Sequence, residues 1–319
     1  MKRVVFAWIL VSILLSYSGI LCAKDMASVG RSETIIQFFT ELTKSTKWYR
    51  VDEIKLKFRT YHPQGLVRVG DYFYLSSVEE TVPTKKIETP QGGYDRTPGE
   101  GVGHLFKFAS KGELVSKATL GEGTVYHPGG IDYDGRYIWV PVAEYRPNSQ
   151  SIIYRVDPET LQAVEVFRFK DHIGGVVHNT WDETLHGISW GSRRLYTWKL
   201  NGQSGVASFE GVPLFKKQMN RSHYIDYQDC HFLADKYMLC GGLNSYNIPN
   251  VGKVALGGLE LVDLDLQDAV HQIPVILYIN PTKPMTQNPF YFDINENHLR
   301  FYFIPEDNES TLYVYDALN

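Results

Sequence analysis

Three histidines open three copies of one segment: Tyr61-His62-Pro63-Gln64-Gly65, Tyr126-His127-Pro128-Gly129-Gly130 and, more loosely, Asp171-His172-Ile173-Gly174-Gly175. Seventeen residues after the first two stand acids, Glu79 after His62 and Glu144 after His127. Imidazole suits zinc, iron or manganese-like ions better than calcium, and a carboxylate beside such an ion can act as base for a bound water. His62, His127 and His172 are therefore candidate ligands of a divalent transition metal, with Glu79 or Glu144 as base. The same residues equally suit hydrogen bonds between neighbouring strands, or direct contact with a ligand in the absence of metal. No local His-Glu-x-x-His or Cys-x-x-Cys pair favours the metal.

Any of these roles requires the three segments to meet. Each is followed by a strand, a tight turn and a second strand, so the recurrence is structural before it is chemical. After Trp48 alternating runs bounded by Gly, Asp, Asn and Pro replace helical periodicity. Units of four strands fit at 62–69, 72–79, 103–109 and 113–119; at 127–133, 136–143, 151–157 and 161–169; and at 172–178, 184–190, 193–200 and 203–209. A fourth unit overlays Asp226-Tyr227-Gln228-Asp229-Cys230 on His62-Pro63-Gln64-Gly65-Leu66, with later strands at 258–265 and 273–279. The fifth opens at Asn288-Pro289-Phe290, continues through 299–304 and 311–315, and lacks an outer strand. The alternating stretch 51–58 can supply it, which closes a ring and removes exposed edges. The expected fold is all-β: a five-bladed β-propeller over 48–319, closed by an N-terminal outer strand. Ahead of it, one short helix over 32–43, capped by Ser32, presents Ile35, Ile36, Phe38, Phe39 and Leu42 on one face within an extension spanning 24–47.

In such a ring the lead-ins to the innermost strands share one face with the loops joining second to third strands. His62, His127 and His172, with Asp226 and Asn288 in register, then surround the channel mouth, and Glu79 and Glu144 leave their strands toward the same side. Insertions at 80–102 and 243–257, and the lead-in 211–224, stand above it, as long loops on a rigid scaffold do where binding takes place. Gly65, Gly130 and Gly175 fall where inner strands crowd together. Asp229 takes the equivalent place in the fourth unit, where a buried carboxylate needs a partner. Trp190, Tyr145, Tyr246 and Tyr94 can present rings there to a sugar or another planar ligand.

Other motifs fail on context. Gly187-Ile188-Ser189-Trp190-Gly191 has the spacing of a nucleophile elbow but ends a strand with no helix behind it. The glycines of 99–103 likewise have no helix to receive a phosphate. Asn220-Arg221-Ser222 and Asn308-Glu309-Ser310 are glycosylation sequons, relevant only in a eukaryotic host. Residues 1–23 read as a signal peptide, with Lys2 and Arg3 ahead of an apolar run and Leu21-Cys22-Ala23 at its end. The expected destination is secreted or periplasmic, with no membrane span after cleavage. Losing Lys2 and Arg3 takes the net charge from −4 to −6, which speaks against nucleic acid as a partner. Cys230 and Cys240 then remain, on facing strands of a hairpin, as a disulfide or as two buried thiols.

The His-Pro-x-Gly-Leu/Ile entrance with its Tyr/Trp-rich second strand resembles the secreted propellers that include gluconolactonase, strictosidine-synthase and phytase-like members. The resemblance covers 48–319 and is nearest to an uncharacterised family of secreted proteins without an assigned activity. Gluconolactonase-type members hold a divalent ion with Glu, Asn and Asp side chains in the channel. Histidines stand at the entrances here, so no catalytic residue carries over, and fold likeness does not license a reaction. Three functions follow as expectations: binding of a small molecule or glycan at the channel mouth, metal-dependent lactone or ester hydrolysis by the His/acid ring, and a protein-interaction scaffold.

Overall fold

The computed structural model describes residues 30–91, 93–200, 211–233 and 235–319. The signal peptide proposed at 1–23 and the strand expected at 203–209 lie outside these residues. Five antiparallel four-stranded units follow one another along the chain. Blade 1 comprises His62–Val69, Tyr72–Val82, Glu100–Ala109 and Leu114–Leu120; blade 2 has His127–Pro128 and Asp132–Tyr133 as a broken inner strand, then Ile138–Ala143, Ser151–Val156 and Ala163–Phe169. Blade 3 comprises Ile173–Asn179, Thr184–Ser189, Arg194–Lys199 and Phe215–Met219; blade 4 comprises Asp226–Leu233, Tyr237–Ile248, Gly252–Asp263 and Asp268–Pro274. Blade 5 joins Phe290–Asn295, His298–Phe303 and Thr311–Leu318 to the N-terminal strand Lys47–Lys55. The chain is a five-bladed β-propeller.

Strand alternation explains how the blades hold together. Successive side chains point to opposite faces, so each blade can pack on both neighbours. Leu66 faces blade 5, beside Tyr302 and Val314, whereas Val67 faces blade 2, beside Ile131 and Val140. Trp139 turns to blade 3 while Ile138 and Val140 turn back to blade 1. Five apolar clusters fill the five interfaces between blades in this way.

The ring closes where Lys47–Lys55 pairs antiparallel with Thr311–Leu318, Lys47 opposite Leu318 and Lys55 opposite Thr311. The closing strand thus lies slightly earlier than the 51–58 expected. The helix runs over 30–41, so Ser32 lies inside it and is not its cap. Its Ile35 and Phe39, with Leu42 just beyond, pack into the interface of blades 4 and 5, and His271 Nε2 donates to Leu42 O at 2.9 Å.

Four further expectations change. The outer strand of blade 3 includes part of the supposed lead-in 211–224, and that of blade 4 is Asp268–Pro274 rather than 273–279. The insertion 243–257 is no free loop, since it prolongs two strands into a hairpin paired from Tyr237/Asp263 to Ile248/Gly252. Gly175 has ordinary room at its Cβ position, with Ile188 Cδ1 at 3.6 Å; the crowded glycines are Gly65, where a Cβ would lie 2.5 Å from Ile131 N, and Gly130, 2.8 Å from Asp229 Oδ1. Cys230 and Cys240 are cross-strand partners in blade 4 and form a disulfide.

Candidate functional site

The inner strands of blades 1, 3 and 4 carry the same irregularity. Register shifts fall between Pro63 and Gly65, Ile173 and Gly175, and Tyr227 and Asp229, leaving Gln64, Gly174 and Gln228 as bulged residues. A bulge re-aims a side chain. All three bulged residues line a cavity of about 230 Å³ at one end of the channel, together with His62, His127, His172, Tyr145, Trp190 and Asp226. Repetition of one local kink therefore assembles the site.

The three histidines do share this cavity, in different states. His172 is fixed from two sides: Asp171 Oδ1 accepts from its backbone N–H at 2.9 Å, and its Nδ1 donates to Glu144 O at 2.7 Å. A carbonyl only accepts, so Nδ1 carries the proton and the neutral ring keeps a lone pair on Nε2. Burial holds its pKa down at about 4. His62, at the mouth, donates through Nδ1 to Asp307 Oδ1 at 2.8 Å. His127 lies between them, buried and stacked on Tyr145 with ring centres 4.2 Å apart, and both its ring nitrogens lack a hydrogen-bond partner. Burial, reinforced by the neighbouring His172 and His62, keeps it neutral far below the ordinary imidazole range. Trp190 stands edge-on to His172 at 4.8 Å and carries the Arg96 guanidinium 4.6 Å from its ring centre.

Asp226 reaches the cavity as expected. Its Oδ1 accepts from Arg193 at 3.2 Å, and burial raises its carboxyl pKa despite that partner. Other candidates stay outside. Glu79 turns to His104, whose Nε2 is 3.1 Å from its Oε2. Glu144 is buried among Arg146, Thr124 and Gln150, which outweigh the effect of burial and pull its pKa down. Neither acid is placed as a base in the cavity. Asn288 braces Asp307 from behind, donating to its Oδ1 at 3.2 Å.

Asp229 is a structural staple rather than a ligand contact. Its two oxygens accept from Leu66 N in blade 1 at 2.8 Å and from Ile131 N in blade 2 at 3.1 Å, while the next residue but one, His231, donates to Phe290 O in blade 5 at 2.8 Å. Burial drives the Asp229 carboxyl up to about 8, against the pull of His231.

Among the described residues, no three His, Cys, Asp or Glu side chains come together to hold a metal ion. The three histidines His62, His127 and His172, expected as a metal centre, thus do not form such a group. Ser189 is not set up as an activated nucleophile: its Oγ accepts from Arg194 N at 2.9 Å, and no histidine or carboxylate is bonded to it among the described residues. Tyr246 does not line the cavity, and Tyr94 instead lies under Arg146, 3.7 Å from its ring centre.

Sequence reasoning missed the bulged residues Gln64, Gly174 and Gln228 as lining, although their constant place two residues after the opening His or Asp was visible in the repeat. It also missed Asp307, Arg96 and Arg193, for which the sequence carries no local signal.

A five-bladed propeller with a polar, histidine-lined cavity at its channel mouth defines the class of this protein. Residues 20–319 match a family of unknown function, DUF6454, and the chain belongs to that family. No curated protein sequence matches the chain. Among solved structures, a mannose phosphorylase from Leishmania mexicana, determined with a phosphate ion, is similar over 83% of this chain and 88% of its own at 11% identity and a TM-score of 0.51. A luciferin-regenerating enzyme covers 85% of this chain and 96% of its own at 8% identity and a TM-score of 0.45. Likeness at these identities concerns the fold alone.

Proposed function

We propose that this propeller is exported and reversibly binds a small polar molecule in the channel-mouth cavity, without metal and without covalent chemistry. The observation that carries this reading is His127. A buried polar group left without partners is costly, and native proteins leave few of them. Here both imidazole nitrogens are unpaired beside a cavity walled by His62, His172, Trp190 and Asp226. A ligand that bonds to His127 removes that cost on binding. The volume, about 230 Å³, is below the roughly 300–1,000 Å³ of drug-sized sites, which points to a molecule about as large as a single sugar or an aromatic metabolite. The Cys230–Cys240 disulfide supports export, since such bonds persist in oxidising compartments.

Gly174 provides the test. A Cβ there would meet His172 Nε2 at 3.4 Å, ordinary contact, so Gly174→Val places methyl groups before His172 at little cost to the fold. Compounds from a panel of small polar molecules, followed by ligand-observed NMR, are expected to bind the parent protein and to lose at least tenfold in affinity to Gly174→Val. Equal binding to both proteins, or binding to neither, would overturn the reading.

A further inference from the structure

The cavity wall holds strong hydrogen-bond acceptors that nothing among the described residues satisfies. His172 has spent its Nδ1 proton on Glu144 O, which leaves a lone pair on Nε2 of its neutral ring, while Nδ1 of His62 is turned to Asp307 Oδ1. Gln64 and Gln228 direct their amide nitrogens to Pro63 O at 3.1 Å and Asp226 O at 3.4 Å, leaving their side-chain oxygens as acceptors. Asp226 Oδ2 takes no hydrogen bond among the described residues. The uncommitted donors, which are the Tyr145 and Ser189 hydroxyls, the Trp190 indole N–H, one nitrogen of His127 and the second amide N–H of Gln64 and of Gln228, are all neutral, whereas Asp226 Oδ2 belongs to a carboxylate.

Nearby cations do not reverse this balance. Arg193 is engaged with Gly191 O at 2.7 Å, His223 Nδ1 at 2.9 Å and Asp226 Oδ1 at 3.2 Å, while Arg96 is held by Asp95 and lies over Trp190. An anion would meet a carboxylate and lone pairs. A sugar hydroxyl can meet these donors and acceptors but brings no charge to Asp226. An ammonium group donates three hydrogen bonds and accepts none, and aromatic faces attract it.

We propose that the ligand of this cavity is a small organic cation, a protonated amine on an apolar or aromatic body, whose ammonium is received by Asp226 Oδ2 and the Nε2 lone pair of His172; this rests on the binding function proposed above. The test uses matched trios, each an ammonium, an alcohol and a carboxylate on one carbon skeleton: benzyl, 2-phenylethyl and cyclohexylmethyl. Titrated into the intact mature protein at neutral pH, the ammonium member is expected to bind at least tenfold more tightly than its alcohol, with the carboxylate weakest. Asp226→Asn is expected to weaken the ammonium at least tenfold more than the alcohol and so to remove the ammonium's advantage. An alcohol or carboxylate that binds as tightly as its ammonium overturns the cation and leaves cavity binding standing. If no member of any trio binds at millimolar concentration, this inference is overturned, and the Gly174→Val comparison on the wider panel then decides separately whether the cavity binds anything.

Discussion

His172 shows at the residue scale how the site and the stability of the protein are linked through protons. The ring is buried and neutral, with a pKa of about 4 against an ordinary 6.5. Between these values the unfolded chain binds a proton that the folded protein refuses, so stability falls as pH drops from about 6.5 toward 4. Asp229 works in the opposite sense: its folded carboxyl keeps a proton up to about 8, so its contribution declines as pH rises from 3.8 toward that value. At pH 5 the His172 effect costs on the order of 2 kcal/mol. His172→Gln keeps a donor for Glu144 O and does not titrate. Urea unfolding at pH 5 and pH 7.5 is expected to show an acid loss smaller by about 2 kcal/mol in His172→Gln than in the parent. An identical loss in both would show that His172 does not carry it. The need of Asp229 for a partner was legible in the repeat, because a carboxylate replaces a crowded glycine. Its partners were not, since Leu66 and Ile131 lie 163 and 98 residues away and offer only backbone N–H groups, which no side-chain pattern reveals.

At the scale of elements, inner strands were easier to read than outer ones. The innermost three strands of each blade pack on both faces, so their runs are apolar and their turns sharply marked. Outer strands are half-solvated: Phe215–Met219 is almost wholly exposed and Asp268–Pro274 keeps only Ile273 fully buried, so pattern gives little guidance there. The bulges were hidden for another reason. A register shift is a property of a pair of strands, and the repeated Gln64, Gly174 and Gln228 positions acquire meaning only once the partner strand is known. The hairpin of blade 4 was legible, and with it the facing cysteines. Both sulfurs lie in the interface with blade 3. The bridge closes a short loop, with a sequence separation of 10, and chain entropy then assigns it about 2–3 kcal/mol. Cys230→Ser/Cys240→Ser is expected to lose at least that much in urea unfolding, because two hydroxyls also replace buried sulfur. Unchanged stability after mild reduction of the parent would show that the bridge is dispensable.

For the whole molecule, ring closure is the feature on which the cavity depends, since the site draws on blades 1 to 4 and is braced at His62 by Asp307 from blade 5. The closing strand Lys47–Lys55 is mostly exposed, and Trp48 is its main aromatic anchor, 5.2 Å from Phe301 between ring centres. Its role is therefore to cover the backbone edge of Thr311–Leu318 more than to fill the core. An uncovered edge strand invites pairing with another chain. Deleting residues 24–55 from the mature protein also removes Ile35, Phe39 and Leu42 from the interface of blades 4 and 5, and is expected to lower unfolding free energy by several kcal/mol, on the scale of about 1 kcal/mol for each ladder hydrogen bond and about 2 kcal/mol for each buried side chain lost, less the entropy of ordering the segment. It is also expected to drive self-association, visible as faster species in sedimentation velocity. A peptide of residues 44–57 added in trans can occupy the same edge by strand addition and is expected to restore the original sedimentation profile. If the truncated protein sediments like the parent without peptide, the ring closes without its N-terminal strand, and the channel mouth is held by the interfaces between blades alone.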